Sequence, residues 1–367
     1  MSSTLQPTIS VDARLVGASG IGTYLSELLP RMIAARPGLG FTLLGPASVL
    51  AGLPWTRAGN VRVVNLGAPI YSLREQIALP LAIPAGTDVF WSPHYNIPLA
   101  WRGRLVVTVH DLAHLAMPEF VAGAHRRAYA GFMFRQVARR ADAIITVSDF
   151  TRAEFERLVG TRKVTPEVVH SGVDRGWFEV PPIASPYPRP YLLYVGNVKP
   201  HKNLGRMLDA FGQVASRIPC DLLILGKEEG FLNGDRTVRS AAERLSPRVR
   251  MLGSLPQEQL KQYVAHTEAL LLPSLYEGFG LPPLEAMACG RPAIVSRAAS
   301  LPEICGDAAI YCNPLDSASI ASAIMRVLGE PALRETLRCR GLERARHFNW
   351  GRSTQGTLAI LERVLNR

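Results

Sequence analysis

The stretch Ala269-Leu270-Leu271-Leu272-Pro273-Ser274-Leu275-Tyr276-Glu277-Gly278-Phe279-Gly280-Leu281-Pro282-Pro283-Leu284-Glu285-Ala286-Met287-Ala288-Cys289-Gly290 reads as strand, loop and helix in direct succession. The apolar run up to Pro273 has the length of a buried strand, and a glycine loop follows it. Pro282 and Pro283 suit a first helical turn, where an amide hydrogen has no partner anyway. Gly290 suits the stop. The loop therefore aims backbone N–H groups and the positive end of a helix at one spot, which is a place for phosphate. Seven residues separate Glu277 from Glu285, so a carboxylate flanks that spot on each side. A hydroxyl-rich group beside a phosphate needs acceptors of this kind, and the combination points to a nucleotide sugar. A glycine turn with two solvated acids is the plain alternative.

On either side of this stretch, short apolar runs alternate with helical patterns along both halves of the chain. Strands are expected at Thr8–Asp12, Phe41–Gly45, Val61–Leu66, Asp88–Ser92, Leu105–His110 and Ala143–Ser148, with helices at Ile21–Ala35, His125–Ala138 and Asp149–Leu158. Residues 180–190 then carry five prolines in eleven positions, a stiff segment unable to join a central strand. The pattern restarts at Tyr191–Gly196 and continues with strands at Asp221–Leu225, Arg250–Leu252, Leu270–Pro273, Ala293–Ser296 and Ala309–Cys312. The helix over Leu204–Arg217 places apolar residues at 204, 207, 208, 211, 214 and 215. Strand–helix alternation of this kind predicts an α/β protein of two doubly wound, Rossmann-like domains facing a cleft, with ligands beyond the carboxyl ends of the strands. The expected division is 1–180 as the N-terminal domain, 181–190 as linker and 191–347 as the C-terminal domain. Residues 348–367 are expected to form a last helix packing on either domain.

Composition narrows the class. With 367 residues, 47% hydrophobic and 19% charged, the chain is a folded protein long enough for two domains. No apolar run reaches the roughly 18 residues a membrane span needs. The first residues, Met1 to Gln6, lack the basic patch and apolar core of a leader. The five cysteines, at 220, 289, 305, 312 and 339, lack metal-ligand spacing and read as reduced thiols of a cytoplasmic protein. The net charge of +11 is spread evenly: residues 1–180 hold 18 basic and 13 acidic side chains. On the helical stretch 126–140, Arg127, Arg135, Arg139 and Arg140 accompany Phe132, Met133 and Phe134. That stretch is either a solvated face or a basic, partly apolar surface that rests on anionic lipid at the inner face of the cell membrane. No nucleic-acid-binding motif is present.

Three further clusters carry chemistry. Gly20-Ile21-Gly22 ends the first strand's loop and lets backbone approach a ligand, or simply turns. Val107-Thr108-Val109-His110-Asp111 ends a strand in two polar groups. His110 there could bond a sugar hydroxyl or stabilise developing positive charge, and Asp111 could orient it, act alone or merely cap a helix. His94 and Tyr95, ending the preceding strand, join Gly20 as candidates on the acceptor side. Gly196-Asn197-Val198-Lys199-Pro200-His201-Lys202-Asn203 opens a helix after a strand, with Lys199 and Lys202 placed for a diphosphate. Only five lysines accompany 36 arginines, so a lysine pair here is unlike filler. There is no Asp-x-Asp triplet, the usual metal-mediated grip on a diphosphate, so neither metal nor cofactor is expected.

These residues resemble the retaining glycosyltransferases of family 4, which have the GT-B architecture. The resemblance runs from Asp12-x-Arg14 and Gly20-Ile21-Gly22 through His110-Asp111, Ser148 and Gly172-Val173-Asp174 to Lys202-Asn203, Glu277–Glu285 and Leu301-Pro302-Glu303. It implies that the C-terminal domain holds a nucleotide-sugar donor and the N-terminal domain an acceptor. Glu277 would then contact donor hydroxyls, and the amides of Gly278, Phe279, Gly280 and Leu281 would line sugar and phosphate. Glu285 would take the ribose, Lys202 the diphosphate, Gly22 would sit against it, and His110 would lie near the transferred sugar. Retention without an enzyme nucleophile implies front-face attack assisted by the departing phosphate. Many members carry Arg directly after the glycine equivalent to Gly196. Asn197 stands here, so Lys199 makes up the charge or the diphosphate is held less tightly. The string from Gly196 to Asn203 looks like the branch that builds bacterial surface polysaccharides, which suggests GDP-mannose as donor and a glycan, free or on polyprenyl diphosphate, as acceptor. A nucleotide-sugar epimerase shares this architecture and would isomerise donor without acceptor. A non-catalytic partner subunit would bind no nucleotide sugar.

Overall fold

The computed structural model describes residues 6–18, 20–120, 123–226 and 236–367. The reading of the chain start as leaderless concerns residues that lie, up to position 5, outside this set. The chain divides into two compact units, Met1–Gly172 with Trp350–Arg367, and Val173–Asn349.

The first unit contains strands β1 (Thr8–Asp12), β2 (Gly40–Gly45), β3 (Val61–Asn65), β4 (Val89–Ser92), β5 (Arg104–Val109), β6 (Ala143–Thr146) and β7 (Glu167–Val168). They pair in parallel in the order β3-β2-β1-β4-β5-β6-β7, with Ile9 opposite Phe41 on one side and Val89 on the other. Strands covered on both faces must be apolar throughout, and Ile9, Val11, Phe41, Leu43, Phe90 and Val106 are all buried. The Ile21–Ala35 helix covers the sheet with Tyr24, Leu25, Leu28, Leu29 and Met32, spaced for one face. The Leu73–Ala82 helix was not expected: Pro80 lies inside it, and its most regular apolar positions, Leu73, Ile77 and Leu81, point outward.

The second unit holds β8 (Tyr191–Val195), β9 (Asp221–Leu225), β10 (Val249–Gly253), β11 (Ala269–Leu272), β12 (Ala293–Ser296) and β13 (Ile310–Cys312), parallel in the order β10-β9-β8-β11-β12-β13. The Leu204–Val214 helix buries Leu204, Met207, Leu208, Phe211 and Val214 on it. In each sheet the chain winds outward in one direction and then restarts beside its first strand. The reversal falls between β1 and β4 in the first unit and between β8 and β11 in the second. Crevices at the carboxyl ends of such neighbours are where open α/β sheets take ligands. The expected α/β architecture of two Rossmann-like halves, GT-B, is the one observed.

The expected linker lies inside a unit, and the domain that receives the last helix, left open by the sequence, is the first. The proline-rich segment lies within the second unit, because its tyrosine anchors it there. Tyr187 is buried, donates its hydroxyl to Asp221 Oδ2 at 2.7 Å and meets Tyr191 edge-on at 5.7 Å. The last helix, Trp350–Leu365, packs on the first unit. Trp350 meets Tyr24 at 6.0 Å between ring centroids, and Ser353 Oγ donates to the His170 carbonyl at 2.6 Å.

Candidate active site

The residues singled out above fall into two groups, one at each sheet reversal. In the second unit the loops after β8 and β11 are tied together. The Leu275 N–H donates to the His201 carbonyl at 2.7 Å, and Asn203 Nδ2 donates to the carbonyls of Pro273 at 2.9 Å and Pro314 at 2.6 Å. Asn203 sits at φ 63, a left-handed conformation that asparagine tolerates better than most residues. This framework brings Lys202 and Glu277 together. Lys202 Nζ lies 2.7 and 2.6 Å from the two carboxylate oxygens of Glu277, and Ser274 Oγ donates to Oε1 at 2.7 Å. Both side chains are mostly buried, at 19% and 10% exposure, so solvent screens the pair only partly.

Beyond Glu277 the chain makes the expected glycine loop. Gly280 has φ 104 and precedes the Leu281–Ala288 helix. A Cβ there would also press on Leu301 Cδ2 at 2.7 Å, the end of a side chain, so the backbone conformation is what calls for glycine. Pro282 and Pro283 occupy the first helical turn and carry no N–H. The amides able to face an anion at this helix start are therefore limited to those of the loop and of Leu281. Ser300 supports the loop: its Oγ lies 2.9 Å from the Glu277 carbonyl and 2.8 Å from that of Phe279, donating to one at a time. Glu285 lies one helical turn beyond Leu281 on the same side, half-buried. The β8 loop is half-buried at Gly196 and Asn197 and exposed at Lys199. It requires a second glycine, because a Cβ on Gly226, which follows β9, would lie 2.0 Å from the Gly196 carbonyl oxygen.

The group in the first unit divides by what each side chain already does. His94 is 2% exposed. Its Nδ1 accepts from the Asn96 N–H at 3.1 Å, so Nε2 carries the proton and donates to Asp12 Oδ2 at 3.0 Å. Both ring nitrogens are thus spent inside the unit, against the expectation that His94 faces a ligand. Asp12 is further bonded by Arg14, whose NH2 lies 2.5 Å from Oδ2 and whose NH1 reaches the Ala68 carbonyl at 3.1 Å. Burial alone would raise the Asp12 carboxyl, but Arg14 and His94 hold it well below the usual carboxylate range. Arg14 also bonds Glu75, which is fully buried and receives Asn96 Nδ2 as well. The ligand atoms of Asp12, Glu75 and His94 lie close enough together for a cation, and the Arg14 guanidinium supplies the positive charge there.

His110 differs from His94. Its Nε2 lies 3.0 Å from the Pro93 carbonyl, which can only accept, so the neutral ring keeps its proton on Nε2 and presents Nδ1 as an acceptor. Tyr24 packs edge-on against the ring at 4.7 Å. Burial, opposed by Asp111, lowers the His110 pKa to about 4, so the imidazole is uncharged at neutral pH. Asp111 is exposed and accepts the Ala113 N–H at 3.0 Å, just ahead of the short Ala113–Ala116 helix whose N-cap position is Leu112. Tyr95 is half-buried, stacked on Phe134 at 4.3 Å, with its hydroxyl 3.1 Å from His114 Nδ1. Gly22 meets a packing need as well: a Cβ would lie 2.5 Å from the Leu15 carbonyl oxygen. Gly20 stands at φ 69 before the Ile21–Ala35 helix. Sequence reasoning passed over Ser274, Ser300, Gly226 and Glu75. The serines follow or precede motifs already noted, but hydroxyls that serve backbone carbonyls leave no spacing signature.

The chain matches the family model for glycosyl transferases group 1 over residues 177–344 and that for Glycosyltransferase Family 4 over residues 50–177. Its relatives include O-antigen chain mannosyltransferase B of Escherichia coli, 31% identical over 93% of this chain and 95% of the relative. Another is MMP alpha-(1->4)-mannosyltransferase of Mycolicibacterium hassiacum, 30% identical over 94% of this chain and 79% of the relative. Among solved structures, sucrose-phosphate synthase from Thermosynechococcus elongatus superposes with a TM-score of 0.80 at 22% identity, covering 98% of this chain and 99% of that one. Anabaena HepE in complex with UDP-glucose superposes with a TM-score of 0.75 at 18% identity, covering 97% and 99%. These structural likenesses extend the fold alone. Two family models together span residues 50–344 and a relative is matched almost end to end: this chain belongs to the glycosyltransferases, in the group 1 and family 4 lineage.

Proposed function

We propose that this glycosyltransferase moves a mannosyl unit from GDP-mannose, with retention and without a metal ion, onto a glycan or a glycan carried on polyprenyl diphosphate, in bacterial surface-polysaccharide synthesis. The observation that carries the donor half is the Lys202–Glu277 pair beneath a glycine loop and helix start. An arriving diphosphate competes with Glu277 for the Lys202 ammonium. Glu277, still oriented by Ser274, is then released to accept bonds from sugar hydroxyls. As the glycosidic C–O bond breaks, Lys202 and the loop amides neutralise the charge collecting on the leaving diphosphate. Glu285 takes the ribose. The neutral His110, accepting through Nδ1, holds a hydroxyl near the reacting carbon without adding positive charge against an oxocarbenium-like transition state. The mannosyl assignment is supported by relatives whose names include O-antigen chain mannosyltransferase. Independence of metal is supported by Lys202 in the place of an Asp-x-Asp triplet, which this sequence lacks.

The acceptor half implies a membrane surface. Among the described residues no helix is long and apolar enough to cross a membrane. The Leu73–Ala82 helix nevertheless exposes Leu73 at 87%, Ile77 at 66% and Leu81 at 82%, one turn apart. The Ala124–Arg140 helix, linked to it through Tyr129, Asn96 and Glu75, exposes Arg126, Arg127, Arg135 and Arg139 and contains no acidic residue. An apolar stripe beside an unopposed basic helix fits the inner, anionic face of a bilayer. The test of the whole reading is incubation of GDP-, UDP-, ADP- and dTDP-sugars with polyprenyl-diphosphate glycan, with and without a chelator. Mannose transfer from the GDP sugar alone, in the α configuration and unaffected by chelator, is the expected result. Transfer from another donor, or loss of activity with chelator, overturns the corresponding part.

A further inference from the structure

Tyr71 stands at the carboxyl edge of the first sheet in a conformation that a bulky residue rarely adopts, φ 64, with half of its surface exposed. The structure around it enforces this. The Tyr71 N–H donates to Glu75 Oε2 at 2.7 Å, and Ser72 caps the same helix by accepting the Glu75 N–H at 3.1 Å. Glu75 cannot yield, because Arg14 and Asn96 bond its two oxygens from within the core. The buried Asp12–Arg14–Glu75 network therefore ends at the surface as a fixed aromatic ring. That ring lies 5.6 Å from Tyr95 and 6.5 Å from His114, centroid to centroid, and Tyr95 is itself braced by Phe134. The charge of Asp111, exposed and with one oxygen spent on Ala113, reaches both phenols. Strained residues held by an over-determined surrounding mark places where a side chain must be presented.

We infer that Tyr71, with Tyr95, His114 and Asp111, seats a neutral hexose ring of the acceptor glycan. This rests on the reading of the first unit as the acceptor side. The apolar face of a pyranose covers the ring of Tyr71, and its hydroxyls meet the Asp111 carboxylate and the imidazole and phenol edges. An acyl chain in the same place would desolvate a carboxylate without pairing it, and a phosphate would face the charge of Asp111. A polyhydroxyl ring avoids both costs. The seat lies one residue along the chain from His110, at the β1–β4 reversal, which suits the sugar that receives the transferred unit.

The test uses the full chain and methyl α-mannopyranoside, with saturation-transfer NMR as the readout and GDP-mannose calorimetry in parallel. Tyr71→Gly removes the ring and suits the left-handed backbone, so the variant keeps its fold. It should cut saturation transfer to the glycoside at least tenfold, while Tyr71→Phe stays within twofold of the parent and neither variant alters donor affinity by more than twofold. Equal transfer in parent and Tyr71→Gly, or no transfer in either, overturns the inference. Loss of vesicle binding by Tyr71→Gly with glycoside contact intact also overturns it, in favour of a lipid contact. Failure of the parent to bind any nucleotide sugar strikes the donor reading and leaves the glycoside result to be judged alone.

Discussion

Lys202 Nζ is held at 2.7 and 2.6 Å from the two oxygens of Glu277, a two-point ion pair between the loops that follow β8 and β11. Each partner thereby offsets the charge of the other. Lys202→Ala should weaken GDP-mannose binding by about 10- to 100-fold, or roughly 1.4–2.8 kcal/mol, measured by calorimetry. The same variant leaves Glu277 without its cation, so its melting point should fall. Glu277→Gln in the Lys202→Ala background should recover the melting point but not the binding. Unchanged donor affinity in Lys202→Ala would remove this residue from the site.

Ser300→Ala takes away the hydroxyl that serves the carbonyls of Glu277 and Phe279 in turn beneath the glycine loop, and keeps only the longer 3.4 Å bond from the Ser300 N–H to the Glu277 carbonyl. A stability loss of about 1–3 kcal/mol in urea unfolding is expected. Because those carbonyls position the amides next to them, kcat/KM should drop further than the stability loss explains. Equal activity in parent and variant at a temperature where both are folded would show that the loop holds itself.

Arg14 is the cation of a buried cluster with two acids. Arg14→Met should cost about 3–5 kcal/mol at pH 7, since two carboxylates then lie buried without a counter-charge. Without Arg14, which helps hold the Asp12 carboxyl low, Asp12 can take up a proton on acidification, so the gap between parent and variant should narrow as pH falls from 7 to 5. A gap that is constant with pH would assign the loss to packing.

His110 has a folded-state pKa of about 4, below its ordinary value of 6.5. Between those limits the unfolded chain binds more protons than the folded one. The stability that His110 contributes is complete above pH 6.5 and declines as the pH falls toward 4. His110→Gln keeps a donor for the Pro93 carbonyl and does not titrate, so it should flatten that part of the urea-derived stability profile. An NMR titration placing the His110 midpoint at 6 or above would refute the assignment.

Membrane attachment should separate into two parts. Replacing Leu73, Ile77 and Leu81 by Ser should lower sedimentation with anionic vesicles at every salt concentration. Replacing Arg126, Arg127, Arg135 and Arg139 by Gln should lower it at low salt and abolish the salt dependence. Insensitivity to both sets would detach the chain from the bilayer.

Much of this was legible in the sequence because the strands are buried on both faces and read as plain apolar runs. The Asp221–Leu225 and Ala293–Ser296 strands and the Ile21–Ala35 and Asp149–Leu158 helices have the bounds expected of them. The Glu277–Glu285 loop was legible because glycine and proline at fixed offsets leave few backbone solutions. What escaped was set by contacts distant in the chain. The Leu73–Ala82 helix has its regular apolar stripe on the outside, so periodicity gave no sign of a buried face. His94 was read from its place after a strand, and nothing local announces that Asp12, 82 residues earlier, occupies its ring. The proline-rich segment looked like a tether because its one buried anchor, Tyr187, bonds an aspartate 34 residues further on.

The last helix has a consequence for how the protein is made. The second unit is one uninterrupted span of sequence, whereas the first is closed by Trp350–Leu365, which is translated after all of that span. Synthesis order and completion order are therefore reversed: the unit begun first is finished last. Its sheet must wait, with the groove that Trp350 fills against Tyr24 still open, while the whole of the other unit is translated. A nascent chain extruded only as far as residue 349 would carry the whole of the second unit and a first unit still short of its closing helix, so the first unit cannot be complete before the second.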